Sequence, residues 1–156
     1  MPRGQVLGRP PINCFNNYQE SMKILFYTAL CVATMTLCSH ILSLICNKRF
    51  SEPHLLNDLY ARHMPRFFQK SFGWIVHYLL GVLYYLGYLG FITMLANGIL
   101  YAILYGILAG LSGVAGWMIM FSTHDNPPKI DFAAFYIQLV LAHVIFALTA
   151  YGLVMY

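Results

Sequence analysis

Four apolar stretches, each long enough to cross a lipid bilayer, constrain this chain more than any other feature. A spanning helix needs about 20 apolar residues, whereas a strand of a membrane barrel alternates over about 10. Only 9% of the residues are charged and 60% are apolar, so lipid is the expected solvent. The sequence therefore predicts an all-α integral membrane four-helix bundle. The predicted spans are 23–47, 72–94, 98–122 and 131–156.

Two further segments complete the predicted organisation. Residues 1–22 form a polar N-terminal tail that contains three prolines, and the membrane domain covers 23–156. Between the first two spans, apolar residues recur at helical spacing, and Ser51-Glu52-Pro53 is typical of a helix start. We therefore expect an interfacial amphipathic helix over 52–70 that lies on the membrane.

The distribution of basic residues predicts the orientation of the spans. Lysine and arginine are enriched on the cytoplasmic side of membrane proteins. One side carries Lys48, Arg49, Arg62, Arg66, Lys70 and Lys129, and the other carries Arg3, Arg9 and Lys23. The loop 48–71 is therefore predicted to be cytoplasmic, with both termini outside.

Small residues mark the predicted helix-packing faces. Small side chains allow close backbone approach in a membrane bundle, where interhelical packing drives association. The third predicted span is the richest in them. The predicted packing positions are Ala33, Thr36, Gly81, Gly106, Gly110, Gly113, Gly116 and Ala147.

Three histidines lie inside predicted spans, which makes each a functional candidate. His77 and His143 could be axial ligands of a b-type haem, with His40 as an alternative ligand. The simpler interpretation is that these imidazoles form hydrogen bonds with Tyr, Thr or Ser across the bundle. The series His77, Gly81, Tyr85 also matches His143, Ala147, Tyr151, which is consistent with an internal repeat.

Other functional classes have less support in the sequence. No predicted span has an acidic or basic residue near its middle, which weakens the case for ion-coupled transport. Motifs of familiar enzymes are absent, and the few dispersed charges do not suit nucleic acid. The spacing of Cys14, Cys31, Cys38 and Cys46 predicts no disulfide framework. His124-Asp125 could bind a metal with His54 or Glu52, but Asp125-Asn126-Pro127-Pro128 is more typical of a turn.

Several short motifs resemble the YagU-like group of small bacterial inner-membrane proteins. They are Ala33-Thr34-Met35-Thr36, Gly73-Trp74-Ile75-Val76-His77, the glycine-rich stretch from Tyr105-Gly106 to Trp117, Leu141-Ala142-His143 and Tyr151-Gly152. The polar tail and the tyrosine-rich second span depart from the group. The resemblance implies a four-helix protein of the bacterial inner membrane and marks His77 and His143, but it implies no reaction.

Three functional hypotheses follow from the sequence. The first is a non-enzymatic accessory or scaffold subunit that contacts lipid and other membrane subunits. The second is an electron carrier that binds haem b. The third is a small transporter or channel with a path lined by His40, His77 and His143, which requires a cavity that reaches them.

Overall fold

The computed structural model describes residues 12–60 and 65–155, and only the backbone of residues 12–17. All regular elements in this part of the chain are helices. They are α1 (Ile12–Cys46), α2 (Glu52–Tyr60), α3 (Phe72–Met94), α4 (Ile99–Thr123) and α5 (Phe132–Met155). Four candidate spans, Tyr18–Cys46 in α1 and the whole of α3, α4 and α5, are long and apolar enough to cross a membrane. The predicted all-α four-span architecture is thus confirmed.

The first helix is longer than its predicted span. It begins at Ile12, eleven positions before Lys23, and is 35 residues long. Polar residues extend it because hydrogen bonds propagate readily once an adjacent apolar helix has formed. Residues 12–22 of the predicted tail are therefore helical, and 1–11 lie outside the described residues.

The four long helices pack in the order α3, α1, α5, α4. The most extensive contact joins α4 to α5, followed by the contact of α1 with α5, whereas α3 touches α4 and α5 only sparingly. Glycine explains the close approach of α4 and α5. A Cβ on Gly106 would lie 2.6 Å from the Val144 Cα, and one on Gly110 would lie 2.7 Å from the Val140 Cα.

The amphipathic helix α2 closes one end of this bundle. Leu55, Leu56 and Leu59 are buried and form a cluster with aromatic residues of α4 and α5, including Trp117 and Phe135. The predicted amphipathic helix is confirmed, and its apolar stripe packs on protein. It ends at Tyr60, residues 61–64 lie outside the described part, and turns follow over 65–71.

The turn between α1 and α2 directs the chain back under the bundle. Asn47 has a left-handed backbone with φ of 51°, and the Lys48 N–H donates to the Ser43 carbonyl at 3.1 Å. This pattern is a Schellman helix ending. Lys48 also donates to Asp131 at 2.6 Å. Asp131 in turn caps α5 by accepting from the Ala134 N–H at 3.1 Å.

Candidate functional site

The candidate site is built around Glu52, the first residue of α2. Glu52 lies on the same helical stripe as Leu55, Leu56 and Leu59, so the packing that buries these leucines also buries its carboxyl group. Its residual exposure is 4%. Close approach of α2 to α3 depends on Gly73, since a Cβ there would overlap the Pro53 carbonyl.

Glu52 contacts His77 of α3, and His77 also contacts Thr36 of α1. The Glu52 Oε2 lies 3.3 Å from the His77 Nδ1, and the His77 Nε2 lies 3.1 Å from the Thr36 hydroxyl. With a proton on Nδ1, the imidazole holds an N–H group at ion-pair distance from the carboxylate, while its Nε2 accepts from Thr36. Side chains from α1, α2 and α3 thus form one chain of proton donors and acceptors.

Two polar side chains lie beside this chain of groups. The Gln138 amide N–H donates to the Ser39 hydroxyl, which donates to the Met35 carbonyl at 3.1 Å. Within the described residues, the Glu52 Oε1 and the Gln138 Oε1 are buried and have no hydrogen-bond partner. Because an unpaired buried oxygen is costly, the site favours a proton on the Glu52 carboxyl and a hydrogen-bond donor beside the Gln138 oxygen.

Burial changes the acidity of Glu52. It raises the pKa of the carboxyl from its ordinary value of 4.5 to about 7, because desolvation disfavours the charged form. The polar groups of Gln138 and Ser39 favour the charged form and make this rise smaller. The carboxyl is therefore close to half protonated at neutral pH. A group with a pKa near ambient pH can both accept and release a proton.

Two cavities meet at the Glu52–His77 pair. The first, here called the α1–α3 cavity, has a volume of about 790 Å³ and is also lined by Thr36 and His40. The second, called the α3–α4 cavity, has a volume of about 300 Å³ and is also lined by His143. Glu52 and His77 line both cavities.

The three predicted site histidines differ in burial and in the cavity that they line. His40 is exposed and lines the α1–α3 cavity, whereas His77 and His143 are each 5% exposed. The His143 Nδ1 lies 2.8 Å from the Leu139 carbonyl, and its ring meets that of Tyr84 edge-on at 5.1 Å. Both ring nitrogens of His77 have partners, so ligation of a haem iron would require the loss of one contact.

Most of the predicted packing residues make helix contacts, and several of them also line a cavity. Gly81 meets Val32, Gly113 faces His143, and Gly106 and Gly110 contact α5; Ala147 is buried. Ala33 lines the α1–α3 cavity, and Thr36 both lines it and contacts His77. A Cβ on Gly116 would meet no atom within 4 Å, and this residue lines the α3–α4 cavity.

Sequence reasoning missed Glu52, Ser39 and Gln138 as site residues. The sequence indicates Glu52 only as the start of an interfacial helix and as a weak candidate metal ligand beside His124 and Asp125. A signal was nevertheless present, because Glu52 precedes Leu55, Leu56 and Leu59 by three, four and seven positions, the spacing of one helix face. In the described part of the chain, no cluster of three or more His, Cys, Asp or Glu residues could hold a metal ion.

Comparisons of the chain with protein-family models, curated proteins and solved structures find no significant match. The resemblance to the YagU-like group thus stays a prediction.

Proposed function

We propose that this chain is a small transporter or channel in which the Glu52–His77 pair binds and releases protons. The observation that supports this proposal is that two cavities, one between α1 and α3 and one also lined by α4 and α5, reach the same buried acid–imidazole pair. Together these cavities contact all three candidate histidines, so they supply the part of a path that lies at the α2 end of the bundle.

The position of Glu52 answers the main objection to transport. The spans themselves lack a central acidic residue, but α2 inserts one from the end of the bundle. Buried ionisable groups in membrane proteins are costly and are typical of proton relays and ion pathways. A carboxyl with a pKa of about 7 beside an imidazole can change its charge within the physiological pH range.

The membrane and the orientation belong to the same proposal. The resemblance supports a bacterial inner membrane, and the excess of basic residues around α2 supports a cytoplasmic location for this end of the bundle. Both termini would then lie outside. Under this arrangement, Glu52 is supplied from the cytoplasmic end of the bundle.

The accessory-subunit and haem hypotheses stay predictions. The accessory role was inferred in part from the glycine-rich face of α4, and Gly106 and Gly110 use that face within the chain by contacting α5. The haem role needs a free nitrogen on each ligand ring, whereas His77 contacts both Glu52 and Thr36. The geometry therefore favours transport over either alternative.

Proton flux into proteoliposomes tests the proposal. With a pH-sensitive dye inside the vesicles and an imposed pH gradient, the purified protein should dissipate the gradient faster than empty vesicles. Glu52→Gln should slow this flux by roughly tenfold or more, since the amide cannot exchange a proton.

Glu20→Gln is the matched control, because the same chemical change is made at an exposed carboxyl in α1. Its flux should equal that of the wild-type protein. Wild-type flux no faster than that of empty vesicles, or full flux in Glu52→Gln, would contradict the proposal.

A further inference from the structure

We infer that the α1–α3 cavity binds an anionic phospholipid, with its phosphate at Lys48 and Arg49 and an acyl chain between α1 and α3. This inference goes beyond the proposed function and does not depend on proton movement. The acyl chain would occupy the exposed side of the cavity, lined by Ala29, Ala33 and Leu37, whereas Glu52 and His77 line its buried side. The inference rests on the shape of the cavity and on the charges at its rim.

The cavity opens sideways, at the level of the spanning helices. Ala29, Ala33 and Leu37 line it from α1 and are themselves exposed on the outside of the bundle. Trp74 and Tyr78 line it from α3. These apolar walls would face hydrocarbon, so an acyl chain can enter from the bilayer and fill the gap between the two helices.

The small side chains of α1 create the room for this chain. Alanine at positions 29 and 33 leaves space that a larger residue would fill. Beyond this region, the Tyr78 hydroxyl donates to the Leu25 carbonyl at 2.9 Å and joins α3 to α1. The groove is thus bounded along the helices and has its polar rim at the α2 end.

The rim carries two basic side chains that have unused hydrogen-bond donors. Lys48 and Arg49 line the cavity, and their side chains are 42% and 70% exposed. Each also bonds a carboxylate, Asp131 at 2.6 Å and Asp58 at 3.1 Å. An ammonium has three donors and a guanidinium five, so these contacts leave donors for a phosphate.

The charge that faces the cavity selects an anionic headgroup. Asp58 and Asp131 are absent from the lining, so the acid that faces the interior is Glu52, which has only 4% exposure. Basic pockets between spanning helices near the cytoplasmic surface suit anionic phospholipids. Lys48 and Arg49 therefore favour such a lipid over a zwitterionic one.

Lipid titration followed by native mass spectrometry tests this inference on the full chain in detergent. Phosphatidylglycerol should bind in preference to phosphatidylcholine. Lys48→Gln combined with Arg49→Gln should weaken phosphatidylglycerol binding by roughly tenfold or more, since two basic contacts are lost. Lys23→Gln, which removes an exposed lysine elsewhere on α1, should have no such effect.

A second variant tests the groove independently of charge. Ala33→Leu projects from an exposed position into the cavity, so it should block the acyl chain without disturbing the core. Equal binding of both lipids, or unchanged phosphatidylglycerol binding in both variants, would overturn the inference. If the wild-type protein conducts protons but binds both lipids equally, the lipid site alone is refuted. If it prefers phosphatidylglycerol but does not conduct protons, the proposed function alone is refuted.

Discussion

Glu52→Gln is expected to remove most of the pH dependence that this carboxyl gives to the stability of the protein. An unfolded chain keeps the ordinary pKa of 4.5, whereas the folded protein raises it to about 7. Between these values the folded state binds more protons, so stability is greatest below 4.5 and falls as the pH rises through 7. The shift corresponds to a loss on the order of 3 kcal/mol. Glutamine does not titrate and should abolish this loss.

Thermal unfolding in detergent, measured between about pH 5 and 8, tests this expectation. His77 lies against Glu52, and His143 lines the same cavity. Because these histidines are present in both proteins, the informative quantity is the difference in melting temperature between wild type and Glu52→Gln at each pH. Glu20→Gln should retain the wild-type slope, because Glu20 is exposed. Parallel curves for wild type and Glu52→Gln would show that the carboxyl is solvated.

The second large effect is expected for Gly106→Ala in α4. The added Cβ would lie 2.6 Å from the Val144 Cα and 2.9 Å from the His143 carbonyl oxygen. These are backbone atoms of α5, so relief of the overlap requires the two helices to move apart. Overpacking of this kind costs about 1–3 kcal/mol, and we expect the upper part of that range.

Gly116→Ala provides a control in the same helix. Open space surrounds this position, and alanine is favoured over glycine in a helix by up to about 1 kcal/mol. The melting temperature should therefore fall for Gly106→Ala and stay level or rise for Gly116→Ala. Equal changes in the two variants would contradict the α4–α5 packing described above.

The spans could be predicted because membrane insertion depends on local properties of the sequence. The predicted stretch 72–94 coincides with α3 (Phe72–Met94), and the others differ from their helices by few positions apart from the start of α1. That start could not be predicted from hydropathy, because the residues before Lys23 are polar. The length of an apolar stretch predicts which residues lie in lipid. It does not predict how far the helix continues beyond the bilayer into water.

The site could be predicted only in part, because its central acid comes from outside the spans. His77 and His143 were found from their position within apolar stretches. Glu52 was not, because its burial depends on the left-handed turn at Asn47 that returns α2 to the bundle. The sequence shows that Glu52 shares a helix face with Leu55, Leu56 and Leu59, but it does not show that this face packs on the bundle.

Small residues on α1 show why a packing face and a cavity wall are hard to distinguish. Ala33 and Thr36 have the composition of a helix contact, as Gly106 and Gly110 do. The latter pair meets the backbone of α5, whereas the former pair lines a cavity beside α3, where Thr36 contacts the His77 side chain. The difference depends on the position of the neighbouring helix, which the residues on one face do not define.

Direct titration of Glu52 tests the central claim, that an acid buried at the junction of two cavities exchanges protons near neutral pH. Infrared difference spectra of wild type and Glu52→Gln isolate the carbonyl stretch of the protonated carboxyl. The account predicts that this band disappears with a midpoint at about pH 7. A midpoint near the ordinary value of 4.5 would contradict it.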